Sequence, residues 1–195
     1  KLDKAETAEA KAVIFDPQGK LETELFGRPD KDRITLSGKI NCPKLWNGVT
    51  SPALYRAEIT LFYNGKPVDS IGQEFGIRSY RINADNGFFL NGKPYPLHGV
   101  NYHQDSYESG WAMTDAQRER DYRIIRDMGC TAVRMAHYQH CDHEYSLCDR
   151  LGLCVWTEIG IINKMSADES DAHVLSDGFA DNVKQQLREL IRQNY

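Results

Sequence analysis

Through residues 1–80 the apolar positions recur with a period of two, the spacing of strands with one buried face. Ala12–Asp16 is a short apolar run closed by the turn-forming stretch Pro17–Lys20. In Arg33–Ile40, the apolar Ile34, Leu36 and Ile40 alternate with Thr35, Ser37 and Lys39. Leu54–Tyr63 continues the pattern through Leu54, Ile59, Leu61 and Tyr63, and Asn64–Gly65 follows as a tight-hairpin pair. No helical period occurs here. Short strands separated by turns predict an antiparallel β-sandwich.

From residue 81 the texture changes. Phe88–Leu90, the turn Asn91–Pro94 and Tyr95–Leu97 read as a hairpin, and Leu97–Asn101 as a short strand. Thr114–Met128 has helical spacing at Tyr122, Ile125 and Met128, with Thr114 and Gln117 placed as a capping box and Gly129 as the stop. Ala132–Ala136 is a second strand. Asp142 caps a helix through Leu151, with Tyr145 and Cys148 on one face and Gly152 ending it. Leu153–Thr157 is a third strand. After a long loop, Phe179–Ile191 is helical, with Val183, Leu187, Leu190 and Ile191 in one stripe. Repeating βα units imply parallel strands with helices outside them. An open doubly wound sheet and a (β/α)8 barrel both fit. A nucleotide-binding open sheet needs a Gly-rich loop after its first strand. The corresponding loop, NYHQDSYESG, is polar and aromatic, which favours the barrel, and only half of one.

Composition narrows the function classes. The chain of 195 residues is 41% hydrophobic and 27% charged, the balance of a globular protein, and no apolar run could span a bilayer, so no membrane partner is expected. The net charge of −4 is spread along the chain, and no basic stripe marks a nucleic-acid partner. The five cysteines form no C-x-x-C pair, which argues against a zinc ribbon and a disulfide framework and for free thiols.

Each apolar strand of the second part runs into residues with chemistry. Leu97–Asn101 leads to His103 and Asp105, Ala132–Ala136 carries Arg134 and leads to His137, and Leu153–Thr157 leads to Glu158. Parallel strands place such ends on one rim, where barrel enzymes build their active sites. Each residue also has a plainer reading: a histidine after a strand is often a loop residue, Arg134 could form a structural ion pair, and Glu158 could cap or pair with a neighbour. His137, His140 and His143, with Cys141 and Asp142, suggest a metal, but the stretch crosses from strand to loop to helix and lacks a second half of a ligand set, so no metal is expected. Tyr102, Tyr107 and Trp111 fit a wall that stacks against sugar rings; loop packing is the alternative.

Longer stretches carry a family resemblance. PKLWNGVTSPALY followed by VDSIGQEFGIRSYRI resembles the end of the immunoglobulin-like module of glycoside hydrolase family 2. GFFLNGKPYPLHGVNYHQD resembles that family's entry into its barrel, and MGCTAVRMAHYQHCDHEYSLCDRLGLCVWTEI its second and third barrel strands. These stretches span most of Pro43 to Ile159, in order and at fitting spacing. The resemblance implies an immunoglobulin-like β-sandwich over residues 1–80, to which a strand before Lys1 would add, followed over residues 81–195 by the N-terminal half of a (β/α)8 TIM barrel. A half barrel exposes strand edges, so self-association is expected.

The family hydrolyses terminal β-linked sugars with retention, using an acid/base and a nucleophilic glutamate roughly 5–5.5 Å apart. The variants AHYQ and GVNYHQD look most like bacterial β-galactosidases, so the implied substrate is a β-linked galactoside or oligosaccharide. β-Glucuronidase or β-mannosidase activity on the same scaffold is the alternative, and a noncatalytic carbohydrate-binding module is another. The family's acid/base lies in an Asn-Glu pair on the fourth barrel strand. The chain contains no Asn-Glu dipeptide, so both reacting carboxylates are expected beyond Tyr195 and the chain by itself is expected to be inactive. By resemblance, His103 and His137 contact the sugar, Asp105 accepts from its hydroxyls, Arg134 supports the nucleophile, and Glu158 is the acidic residue ending strand three. Gln139 stands where many members have proline. Ile162 stands where magnesium-dependent members carry a ligating glutamate, so no cofactor is expected. The stretch 164–177 reads as a variable loop.

Overall fold

The computed structural model describes residues 8–161 and 178–194. The expectations for Ile162 and for 164–177 lie outside the described residues. Contacts divide the chain into two compact units, Lys1–Tyr95 and Pro96–Tyr195.

In the first unit, β1 (Ala8–Phe15), β2 (Leu21–Gly27), β5 (Leu54–Tyr63) and β6 (Lys66–Gly76) form an antiparallel sheet in the order β2-β1-β5-β6. Two of these strands, β2 and β6, arise where the sequence pattern suggested no element. The Asn64–Gly65 turn has φ of 50° and 71° at its two residues, the left-handed pair a tight hairpin needs, and Tyr63 accordingly pairs with Lys66. Ala12, Ile14, Tyr55 and Ala57 form the buried centre, covered by Leu25, Leu36, Ile40, Ile59, Phe75 and Ile77.

The strand expected over Arg33–Ile40 is not a strand beyond its first two residues. Only β4 (Arg33–Ile34) pairs, with β3 (Pro29–Asp30). Leu36 and Ile40 still pack on the core. Alternation reports which side chains turn inward, and an extended segment satisfies it without a hydrogen-bonded neighbour. The hairpin sheet of β7 (Tyr80–Asn83), β8 (Gly87–Leu90) and β9 (Lys93–Pro94) turns tightly at Asn91–Gly92, so its return strand starts at Lys93 rather than Tyr95. The Asn91 amide donates to Trp46 O at 2.9 Å and Asn47 Oδ1 at 2.7 Å, and the Tyr95 hydroxyl accepts from Val49 N at 3.1 Å. These bonds tie the hairpin to the first unit, which therefore closes by contacts at Tyr95.

The second unit alternates strand and helix: β10 (Gly99–Tyr102), α1 (Asp115–Asp127), β11 (Ala132–Met135), α2 (Asp142–Leu151), β12 (Cys154–Thr157) and α3 (Phe179–Asn194). The three strands are parallel and lie in chain order. Thr114 caps α1 through the reciprocal box with Gln117. Tyr122 and Ile125 face the interior, while Met128, expected beside them, is the C-cap and is exposed. Cys141, not Asp142, occupies the N-cap of α2, without a side-chain bond. Asp142 is instead the first helical residue, where a carboxylate still favours the positive helix end. On α3 only Leu190 is buried; Leu187 and Ile191 of the expected stripe are exposed. No helix among the described residues is long and apolar enough to cross a membrane.

Candidate active-site wall

The strand register sorts side chains onto two faces. The row Val100, Val133, Val155 and the row Tyr102, Met135, Thr157 belong to the helix-covered face, where Val133 and Met135 are fully buried. The row Asn101, Arg134, Trp156 points the other way. Alternation continues past the strands, so His103 follows Asn101 and Glu158 follows Trp156 on that second face.

Four of the expected site residues meet there. Arg134 Nε donates to Glu158 Oε1 at 2.7 Å and its Nη2 to Oε2 at 3.1 Å, a two-pronged pairing that fixes both planes. His137 Nδ1 lies 3.1 Å from Glu158 Oε2 and 3.0 Å from Arg134 Nη2. The ring of His103 stands edge-on to that of His137, with centroids 5.4 Å apart. Burial pushes the Glu158 carboxyl up, but hydrogen bonds from Arg134 and His137 and their charges outweigh it and hold the group below the ordinary carboxylate range. Asn101 was absent from the sequence expectations, yet its Oδ1 accepts from Arg134 Nη1 at 3.1 Å. Its position two residues before His103 was the available signal, and the exposed Trp156, two before Glu158, carried the same one.

Asp105 is not drawn into this cluster: among the described residues its side chain bonds to none of the four, and it lies near Tyr138, whose phenol is pushed up by burial and then by the Asp105 charge. The expected aromatic wall divides. Tyr102 belongs to the opposite face, packed edge-on against Tyr122 at 5.0 Å with its hydroxyl donating to Asp121 at 3.4 Å. Strand alternation alone sends it there, since His103 takes the site face. Trp111 is 64% exposed and stacks on Tyr138 at 5.0 Å, while Tyr107 projects fully into solvent.

The histidines of the possible metal set go separate ways. His137 joins Glu158. His143 lies beside Glu119, at 3.9 Å. His140 is buried, with Nδ1 2.7 Å from Glu144 Oε2 and Nε2 3.1 Å from Ala136 O. Both neighbours are acceptors, so both bonds form at once only when the ring carries two protons. Among the described residues no three potential ligands come together. Glu144, which the sequence reading did not single out, is fully buried and also receives Arg118 Nε at 3.2 Å and the Tyr122 hydroxyl at 3.4 Å. This network links α1 and α2 to the residue preceding His137. The five cysteines are free thiols.

The chain is similar to known proteins over most of its length. Residues 81–193 match the family model for the TIM barrel domain of glycosyl hydrolases family 2, and residues 2–78 match a second model of the same family. A beta-glucuronidase from Bacteroides fragilis is 44% identical over 157 residues, 80% of this chain and 22% of the relative. A beta-galactosidase from Photobacterium profundum is 31% identical over 186 residues, 86% of this chain and 18% of the relative. The structure of Bacteroides uniformis beta-glucuronidase 2, covalently bound to cyclophellitol-6-carboxylate aziridine, superposes with a TM-score of 0.81 at 33% identity, covering 96% of this chain and 22% of that one. The chain thus spans about a fifth of the length of these proteins. With residues 2–78 matching one model of the family and residues 81–193 the other, the chain belongs to glycosyl hydrolases family 2.

Proposed function

We propose that this chain forms one wall of the terminal-sugar site of a retaining β-glycosidase, and that the sugar is a β-glucuronide. The observation that carries the reading is the Arg134–Glu158–His137 cluster with His103 beside it, at the C-terminal ends of parallel strands. His137 Nδ1 is engaged by Glu158 and Arg134 in either tautomer, which leaves Nε2 to meet a sugar hydroxyl. His103 offers a second imidazole to the same ring. Arg134, gripped by Glu158 and Asn101, presents fixed positive charge to a nucleophilic carboxylate. The chain contains no Asn-Glu pair of the kind that carries the family's acid/base, so its part in this reading is binding and support rather than turnover. Glucuronide is preferred because the Bacteroides fragilis relative at 44% identity carries that name.

A β-galactoside is the second reading, favoured by the relative that aligns over 86% of the chain. The test is saturation-transfer NMR of the 195-residue chain with methyl β-D-glucuronide and methyl β-D-galactoside, alongside an assay with 4-nitrophenyl β-D-glucuronide. Saturation of the glucuronide that disappears in His137→Ala, without hydrolysis, is expected. Saturation of the galactoside alone selects the second reading. No sugar signal, or one that survives His137→Ala, refutes the site.

A further inference from the structure

Trp111 has no part in the terminal-sugar cluster, yet its setting is that of a built surface. An indole this exposed normally sits on a loose loop. Here the loop is closed by reciprocal backbone bonds between Ser106 and Gly110 at 3.0 and 2.8 Å. The Ser106 and Ser109 hydroxyls meet at 2.8 Å, Ser109 N donates to Ser106 Oγ at 3.1 Å, and Ala112 N donates to Ser109 O at 3.1 Å. Gly110 takes φ of 55°, which the tight turn requires, and three residues beyond Trp111 the chain is fixed again by the Thr114 capping box.

The indole lies nearly parallel to Tyr138, at 26° between planes. Tyr138 in turn leans on the His140 ring at 5.1 Å, and His140 is clamped in the core by Glu144. The aromatic pair thus has a buried, hydrogen-bonded footing.

The pair is also connected to the cluster. Tyr138 stands edge-on to His103 with centroids 6.3 Å apart, and His103 to His137 at 5.4 Å. The rings therefore form a chain of contacts from His137 through His103 and Tyr138 to the exposed Trp111. The indole is thus two ring contacts from His103. Flat apolar faces recognise aromatic rings and the C–H faces of pyranoses, and a rigid platform loses little entropy on contact.

We propose that Trp111, backed by Tyr138, is the platform for the leaving-group ring of the substrate, a ring with one apolar face linked to the terminal sugar. The inference rests on the terminal-sugar reading above and deepens it by assigning the aglycone side. Aryl aglycones and a second sugar share the required chemistry, so phenyl β-D-glucuronide and a β-glucuronyl disaccharide form separate arms of the test.

The experiment compares these two ligands with methyl β-D-glucuronide on the 195-residue chain, by saturation transfer and by NMR-titrated affinity. The chain should bind at least one ring-bearing ligand about five-fold more tightly than the methyl glycoside, the gain of a single stacked ring. Trp111→Ala should erase that gain without altering methyl glycoside affinity. Trp111→Leu, which keeps bulk at the same position, should erase most of it, and Tyr107→Ala, at a fully exposed tyrosine on the same loop, should leave it intact. An advantage unchanged in both Trp111 variants, or lost in Tyr107→Ala, overturns the platform. So does the absence of any saturation of phenyl or second-sugar protons. Loss of methyl glycoside binding in His137→Ala belongs to the terminal-sugar reading alone, so the two ideas fail by different signals.

Discussion

Removing the Glu144 carboxylate is the most demanding test of how the second unit holds its site. The side chain is fully buried and receives His140 Nδ1 at 2.7 Å, Arg118 Nε at 3.2 Å and the Tyr122 hydroxyl at 3.4 Å. Arg118 is itself only 13% exposed and cannot shed its proton. Glu144→Ala would leave that guanidinium with only Met113 O and the exposed Asp115 carboxylate, at 3.5 Å, and would leave the buried imidazole donor with no carboxylate. Breaking one side of such a pair costs about 3–5 kcal/mol, because the remaining charge stays buried. Glu144→Gln keeps an oxygen for Arg118, and its amide can donate to a singly protonated His140, so its loss should be smaller, about 1–3 kcal/mol. Urea unfolding followed at the amide resonances of Val133 and Met135 measures the second unit separately. The expected result is a midpoint that falls in the order wild type, Gln, Ala with an unchanged denaturant slope. An Ala variant within about 1 kcal/mol of wild type, or Gln and Ala variants of equal stability, would refute the reasoning.

The Glu158 carboxyl lies below its ordinary range, so its pairing stabilises the fold above the unfolded carboxylate value and that contribution fades as pH falls through the lowered one; carbon-13 titration should show this, with Arg134→Met moving the group back up, and no movement in that variant would contradict the pairing. Thr114→Ala removes the cap of α1 and should cost about 1 kcal/mol in urea unfolding, with a loss near zero counting against the capping box. Gly65→Ala places a Cβ at φ of 71° with nothing else within 4 Å, so a loss of about 1 kcal/mol from backbone conformation alone is expected; a loss beyond about 3 kcal/mol would mean that packing, not conformation, decides that turn.

Much of the fold was legible along the chain because its signals are local. Thr114 with Gln117, Gly129 and Gly152 mark helix ends through bonds within a few residues, and α1, α2 and the Asn64–Gly65 turn fall where these residues put them. The rule that parallel strand ends share a rim gathers His103, Asp105, Arg134, His137 and Glu158, and all but Asp105 meet there. What was lost at this level was pairing. Leu36 and Ile40 alternate as a strand should and find a core but no ladder, while β6, most of whose side chains are exposed, gave no periodic signal and is held by its pairing with β5.

The sequence by itself determined the alternation of strand and helix in the second unit, the capping box of α1 and the family, since hydrophobic period and motif spacing are properties of the chain. Only the tertiary structure decided which face each site residue occupies and what it touches. Tyr102 and His103 are neighbours in sequence, but strand pleating sends one to the helices and the other to the site. Three histidines at equal spacing suggested one ligand set, and the bend from β11 into α2 gave them three different partners. Glu144 drew no notice in the sequence because its partners Arg118 and Tyr122 lie on another helix. A buried carboxylate is defined by what surrounds it, and that enclosure exists only once α1 and α2 have packed together.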